Sequence, residues 1–388
     1  MSSVANASPS PEPIITAPAR TLPWWGFGLA NMAVVGVLSI GAWWLLVDPA
    51  WSPLASYPQP FTAMLFWTIL AVVWVAFTFG WAGPPGLSQP LRGLVALALS
   101  AAIGIGITLV LAYGYGAIDP SFAASRPDGA GFTTGNIFVL FAFFSYVIVV
   151  VNWTQWPWAG RISQPLAGIA ELSAVAMPTI VLYAVLALPN LAVWAVPGTT
   201  LLSVPTLIGW FYNVIVAVVI TGLLTENWPW RLAGSPPRVA LAAAIGNVVL
   251  GTALYFIDLG VARVLMGGAN AAALGDGITI YAAEFGVCWV VWMIAWANVF
   301  GNRPVGQSAA ANYAMRIGVT FVLGMATYLV YYFWLAGTVL HEPVVIGGMH
   351  GDALGFIDWV VLWMLWYVLF FGSWGLPPMR EAEPETTR

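Results

Sequence analysis

Ten stretches of about 20 residues each are almost entirely apolar, and short polar segments separate them. A run of that length is what a helix needs to cross a hydrocarbon core of about 30 Å. The pattern therefore predicts an all-α integral membrane protein with about ten transmembrane helices. The predicted spans lie near 24–47, 61–81, 93–116, 132–153, 167–188, 204–226, 239–260, 277–300, 314–337 and 354–375.

Short sequence matches recur along the chain at intervals of about 74 residues. The tetrapeptide at 88–91 returns at 163–166, 75 residues later, and the tripeptide at 156–158 returns at 228–230, 72 residues later. Two spans and their loops fill one such interval. The repeat predicts five helical hairpins that all run the same way through the membrane, related by an axis along the membrane normal.

The two kinds of predicted span differ in side-chain size. The third, fifth and seventh spans contain no Trp and carry small residues four apart, for example Ala98, Ala102 and Gly106. Small residues let helices approach closely in lipid, so these spans are expected to be packed inside the bundle. The even-numbered spans carry Trp and Phe and are expected to be peripheral.

Composition excludes a soluble protein. Of the 388 residues, 61% are hydrophobic and 7% are charged, with a mean hydropathy of +0.88, whereas soluble domains carry about 25% charged residues. The eleven basic residues are all arginine, and nine of them fall on one side of the predicted spans. The positive-inside rule then places both termini in the cytoplasm of a multi-pass protein of the cell inner membrane.

Domain boundaries follow from the same pattern. We expect a disordered cytoplasmic segment at 1–22, a polytopic transmembrane domain at 23–378 and an acidic cytoplasmic tail at 379–388. The net charge of −4 and the lack of a basic stripe argue against nucleic acid as a partner. The expected partners are the lipid bilayer and a small-molecule solute, with a homo-oligomer or a larger membrane complex left open. No sequence pattern identifies a cofactor.

Two acids inside predicted spans are the leading candidates for chemistry. Glu284 lies about a third of the way into its span, where an acid costs about 2.5–3.5 kcal/mol on insertion scales. Asp358 stands 74 residues later, and both acids have a ridge of Trp residues about a quarter-turn away on the helix. An acid in such a place faces a cavity, a proton path or a helix partner. The alternative is a hydrogen-bonded clamp between helices.

Other polar residues within the spans have weaker claims to a transport or proton path. Asp258 is a candidate, although a surface ion pair with Arg263, five residues on, is the stronger interpretation. Asn213 and Asn247 are also candidates, although asparagine commonly joins helices by hydrogen bonds. Glu171, near the start of its span, fits a structural role at a helix N-terminus.

One loop holds both histidines of the chain. His341 and His350, together with Asp352, are ligand types that suit zinc, copper or iron. Their spacing matches no established metal signature, and a plain exposed loop is the competing interpretation.

The leading functional hypothesis is a permease or channel-like transporter for a small solute, with Glu284 as the group that would couple transport to protons. It rests on the repeated hairpins and on acids confined to one half of the spans. The alternative is an integral-membrane enzyme, or a subunit of one, that acts on a lipid-soluble substrate through these acids or through a metal at His341 and His350. A third possibility is a membrane scaffold in which every acid is structural.

Overall fold

The computed structural model describes residues 21–196 and 198–380. Within these residues, ten helices are long and apolar enough to cross a membrane, as the sequence pattern predicts. In chain order they are α1 Trp24–Leu46, α2 Phe61–Thr78, α3 Leu91–Ala117, α4 Pro127–Val151, α5 Leu166–Leu186, α6 Val204–Leu224, α7 Pro236–Met266, α8 Gly268–Asn298, α9 Ala309–Thr338 and α10 Ala353–Phe370. A small hairpin of β1 (Val344–Ile346) and β2 (Met349–His350) lies between α9 and α10.

The helices form two layers. The even-numbered helices are inner: α2 packs on α4, α4 on α6, α6 on α8, α8 on α10 and α10 on α2, which closes a ring of five. The odd-numbered helices are outer, and each has one inner helix as its main partner: α3 packs on α2, α5 on α4, α7 on α6, α9 on α8 and α1 on α10. In addition, α7 packs on α8, and α3 contacts α10. In the most apolar stretch of each inner helix 67–78% of the residues are buried, against 22–33% in the outer helices.

This arrangement reverses the predicted layers, because the third, fifth and seventh helices are outer and the Trp-bearing helices are inner. The small residues do mark close helix contacts, but on one narrow face only. A Cβ at Gly104 would overlap the backbone of Thr68, and a Cβ at Gly251 would overlap that of Val214. The predicted stripe on α3 was also wrong, since Ala98 is exposed on the outer surface.

The Trp ridges of the inner helices bind the outer layer. The Trp289 indole donates a hydrogen bond to Thr320 on α9 at 3.0 Å, and the Trp366 indole donates to Ser100 on α3 at 3.0 Å. The Trp359 indole reaches the carbonyl oxygen of Ser39 on α1 at 2.9 Å. Because these rings fill the space between the layers, the acids a quarter-turn away are turned toward the centre of the ring.

The two described ends of the chain meet on one side of the bundle, which we call the terminal side; the opposite side is the distal side. The Leu22 N–H donates to the Pro378 carbonyl at 3.0 Å, and the Arg380 N–H donates to the Leu22 carbonyl at 2.7 Å. The predicted disordered segment and acidic tail lie outside the described residues, except for these few positions.

Candidate functional site

The ring of five inner helices encloses a lumen made of two cavities. The distal cavity has a volume of about 280 Å³ and the terminal cavity about 290 Å³. Each of the five inner helices, with the loop that leads into it, contributes lining residues to both cavities. Phe66 on α2 and Tyr212 on α6 line both cavities, so these two side chains form part of the wall between them.

The distal cavity is the more polar of the two. Its lining includes the carboxyl groups of Glu284, Asp352 and Asp128 together with the amides of Asn136 and Gln59. Asp128 is exposed, which places it at the distal mouth. The described lining residues include no arginine or histidine. The cavity therefore presents acidic groups and hydrogen-bond acceptors that face no basic side chain in the described lining.

Glu284 lies in the first turn of the regular α-helical part of α8, Tyr281–Asn298. Its side chain borders the cavity and is 5% exposed. Oε2 accepts a hydrogen bond from the Tyr332 hydroxyl on α9 at 2.9 Å and from the Leu354 backbone N–H on α10 at 3.1 Å. Glu284 thus joins three helices and also borders the distal cavity.

The start of α10 gathers carboxyl groups around its free backbone N–H groups. Asp352 is the N-cap residue, and its Oδ1 accepts from the Gly355 N–H at 3.3 Å. The Asp352 N–H in turn donates to Glu342 Oε2 at 2.9 Å. The first N–H groups of a helix have no partner within the helix and carry partial positive charge, which favours acidic groups at this position.

Glu342, in the loop before β1, is the buried hub of this cluster. Its Oε2 accepts from the Tyr331 hydroxyl at 2.8 Å and from the Tyr57 hydroxyl at 3.1 Å, while Oε1 has no partner in the described part of the chain. Burial raises the pKa of Glu342 to about 8, although the donated hydrogen bonds act in the opposite direction. Burial also raises the pKa of Asp352 above its ordinary range.

The terminal cavity is lined by hydrocarbon and aromatic side chains, with Asp358 at its distal end beside Tyr212. The Tyr212 hydroxyl lies 3.3 Å from each carboxylate oxygen of Asp358, and the acid is 5% exposed. At the terminal mouth, Phe77 and Asn298 are exposed. The two leading sequence candidates therefore face successive parts of one lumen.

Asp258 does not form the predicted ion pair. It is completely buried on α7, both its oxygens lack a hydrogen-bond partner among the described residues, and Arg263 is exposed without an acidic partner there. Five residues along an α-helix amount to about 500°, so the two side chains leave the helix on different faces. Asp258 does not line either lumen cavity.

The two asparagine candidates lie outside the lumen as well. Asn247 Oδ1 accepts from the Thr221 hydroxyl at 2.9 Å, and its Nδ2 donates to Asn152 Oδ1 at 3.0 Å. This network joins α4, α6 and α7, as expected for asparagine that holds helices together. Asn213 is completely buried and donates to the Gly209 carbonyl within its own helix at 2.8 Å.

The two histidines point to separate partners. His341 Nδ1 lies 2.8 Å from Asp48 Oδ2, and its ring packs on that of Trp51. His350 Nδ1 lies 3.1 Å from the Glu342 carbonyl oxygen. Across residues 21–196 and 198–380, no three His, Cys, Asp or Glu side chains come together in a way that could hold a metal ion. The predicted ligands His341, His350 and Asp352 therefore do not form a three-ligand group in the described chain.

Sequence reasoning missed Phe66, Tyr212 and Glu342. A signal for two of them was present, because five lumen-lining residues recur at intervals of 72 or 74 residues. They are Phe66, Leu140, Tyr212, Glu284 and Asp358. Nothing in the sequence marks Glu342, since its partners come from α9, from the loop before α2 and from the start of α10.

Comparison of the chain with protein-family models, with curated proteins and with solved structures finds no match.

Proposed function

We propose that this chain is a transporter that moves a small solute along the lumen of its five inner helices. The observation that carries the proposal is that every inner helix lines both cavities, so the cavities lie one after the other on a common path. The side chains of Phe66 and Tyr212 form part of the wall between them. Side chains can change rotamer far more readily than packed helices can move apart, so this wall is a natural gate.

The proposal includes five parallel hairpin repeats with both termini in the cytoplasm. Two features support it. Five lumen-lining residues recur at intervals of 72 or 74 residues, and each inner helix is the main partner of one outer helix. With that orientation the polar cavity opens to the outside and the apolar cavity to the cytoplasm. The solute would meet the acids first.

Glu284 is the proposed proton-coupling group. It borders the distal cavity, and its carboxylate is held by two donors on two other helices, Tyr332 and the Leu354 N–H. Gain or loss of a proton at Glu284 changes the strength of both hydrogen bonds, because bonds to a charged acceptor are about twice as strong as neutral ones. A protonation change in the cavity is thereby linked to the packing of α8, α9 and α10.

The test is uptake into proteoliposomes. Purified protein is reconstituted with an imposed pH gradient of either sign and offered a mixture of small solutes, and the vesicle contents are analysed by mass spectrometry. We expect selective, pH-dependent uptake in the native protein. Glu284→Gln keeps an oxygen that accepts from Tyr332 and from Leu354 but cannot titrate, so it should fold normally and lose the pH dependence.

Glu171→Gln is the matched control. Glu171 is equally buried at 1% exposure, accepts from the Thr78 hydroxyl at 2.8 Å and does not line the lumen, so its variant should retain pH-dependent uptake. If no solute enters under either gradient, the transport proposal is wrong. Conversion of a lipid-soluble compound in the same vesicles would favour the enzyme alternative.

A further inference from the structure

The terminal cavity has the size and lining of a binding site for a small, mostly apolar molecule. Its volume of about 290 Å³ is roughly twice that of an engineered apolar cavity of about 150 Å³ that binds benzene. Valine, leucine, isoleucine and phenylalanine side chains from the five inner helices form nearly all of its wall. Such a wall favours a compact hydrocarbon or aromatic body.

This apolar wall carries one carboxyl group, that of Asp358. Among the described lining residues, Asp358 alone has an acidic side chain, and none has a basic one. A carboxylate offers about four acceptor sites, whereas its protein donor in the described chain is the single hydroxyl of Tyr212. Most acceptor sites of this buried acid thus lack a protein partner, and a buried charge without a partner is costly.

The route to the cavity favours positive charge. A solute from the distal side passes Asp128, Asp352 and Glu284 before it reaches Asp358, and no described lining residue of either cavity is basic. Rings of acidic side chains select cations at close range. Anions and strongly acidic solutes are disfavoured along the whole lumen.

A bare calcium or magnesium ion does not fit the terminal cavity. Calcium takes 6–8 oxygen ligands, and magnesium needs six in near-octahedral geometry, including water. The oxygen-bearing side chains of the described cavity wall are Asp358, Tyr212 and, at the opposite mouth, Asn298. An organic cation needs less, because one ammonium group pairs with one carboxylate and the rest of the molecule contacts hydrocarbon. The rings of Phe66, Phe143 and Tyr212 can add cation–π attraction.

We propose that the terminal cavity binds a small organic amine, with its ammonium group paired to Asp358 beside Tyr212 and its apolar body in the hydrocarbon-lined space. The proposal rests on the transport function in that this amine would be the solute carried through the lumen. It assigns Asp358 the recognition of the solute and leaves proton coupling to Glu284. Tyr212 is a positioning residue, because its hydroxyl orients the Asp358 carboxylate.

Binding of benzylamine to the purified protein in detergent tests the site without any need for transport. Isothermal titration at neutral pH, where this amine is protonated, is compared with titration of benzyl alcohol, which has the same ring and a neutral arm. We expect benzylamine to bind at least tenfold more tightly than benzyl alcohol. Asp358→Asn should abolish that preference, and Glu171→Gln should leave it intact.

A second variant keeps the test decisive if Asp358→Asn fails to fold. Ile215→Phe adds a ring to the cavity wall and leaves Asp358 in place, so it should weaken benzylamine and benzyl alcohol together. Equal affinity for the two compounds in the native protein would overturn the amine proposal, as would unchanged benzylamine binding in a folded Asp358→Asn variant. Uptake of another solute without amine binding would refute only the amine site, whereas amine binding without uptake would refute only transport.

Discussion

Glu342→Gln is a nearly isosteric change at the hub of the distal cluster, and the structure predicts how its effect depends on pH. In the native protein Oε2 accepts all of the hydrogen bonds, from Tyr331, Tyr57 and the Asp352 N–H, whereas Oε1 has no partner in the described chain. A glutamine can keep its oxygen at the Oε2 position and place its NH₂ group where Oε1 was. The donors to this site therefore keep their acceptor, and the titrating group is removed.

The magnitude follows from the pKa of Glu342. Burial raises that pKa from the ordinary 4.5 to about 8, so the folded protein keeps the proton after the unfolded chain has lost it. The contribution of this group to stability is complete below pH 4.5 and is lost as the pH rises toward 8. The total loss is about 5 kcal/mol, at 1.36 kcal/mol for each pH unit. Glutamine has no such loss.

The variant should therefore match the native protein near pH 5 and exceed its melting temperature near pH 9. From the unfolding entropy of a chain of this length, about 5 kcal/mol corresponds to roughly 6 °C. The melt can be followed with a thiol-reactive fluorescent dye, because Cys288 is the single cysteine and is completely buried. Asp352, whose pKa is also raised, titrates in both proteins, so its main effect cancels in the comparison.

Glu342→Ala is the control variant for this test. It removes the acceptor of Tyr57, Tyr331 and the Asp352 N–H, so it should melt at a lower temperature than the native protein at both pH values. An equal difference between Glu342→Gln and the native protein at pH 5 and pH 9 would refute the titration argument. A glutamine variant that is less stable at high pH would show that the charged carboxylate holds the cluster together.

Two further predictions test the layers and the lumen. Gly251→Val should yield little folded protein in size-exclusion chromatography, because its Cβ would overlap the Val214 backbone, whereas Gly260→Val on the same helix has open space and should elute normally. Normal elution of both variants would contradict the close packing of α6 and α7. In a Cys288→Ala background, a cysteine at Ile137 in the distal cavity should react with a water-soluble methanethiosulfonate, whereas one at the outer-surface Val249 should not. Labelling at Val249 but not at Ile137 would contradict both a lipid-facing outer layer and a water-filled lumen.

Hydropathy located the helices well but not all of their ends. The prediction of a span at 204–226 corresponds to Val204–Leu224, but the span predicted at 239–260 is part of a helix that continues to Met266. Hydropathy measures how much chain can cross the hydrocarbon core, whereas the end of a helix depends on its backbone. Here Gly267, with φ of +84°, ends the helix in a conformation that other residues rarely adopt.

The layers and part of the site could not be predicted because lipid tails and protein interiors are both apolar. Leu and Val on the outside of α3 satisfy lipid, and Phe and Trp on α8 satisfy neighbouring helices, yet a hydropathy scale treats the two alike. Glu284 and Asp358 were recognised because a carboxyl group inside a span is costly in any apolar surrounding. Glu342 is an ordinary loop residue until the fold supplies its partners.

The junction between Leu22 and Met379 brings the two described ends of the chain together. The chain could therefore be closed here and opened at a different turn without changing the helix contacts. The first and last helices, α1 and α10, pack as an outer and inner pair just as α3 packs on α2, although their connection is a pair of hydrogen-bonded ends instead of a covalent turn. A circular permutant that joins these ends and opens at the exposed turn around Gly160 should therefore assemble the same ring. On this reasoning the ring is held together by the contacts between its helices, and more than one order of the helices along the chain can form it.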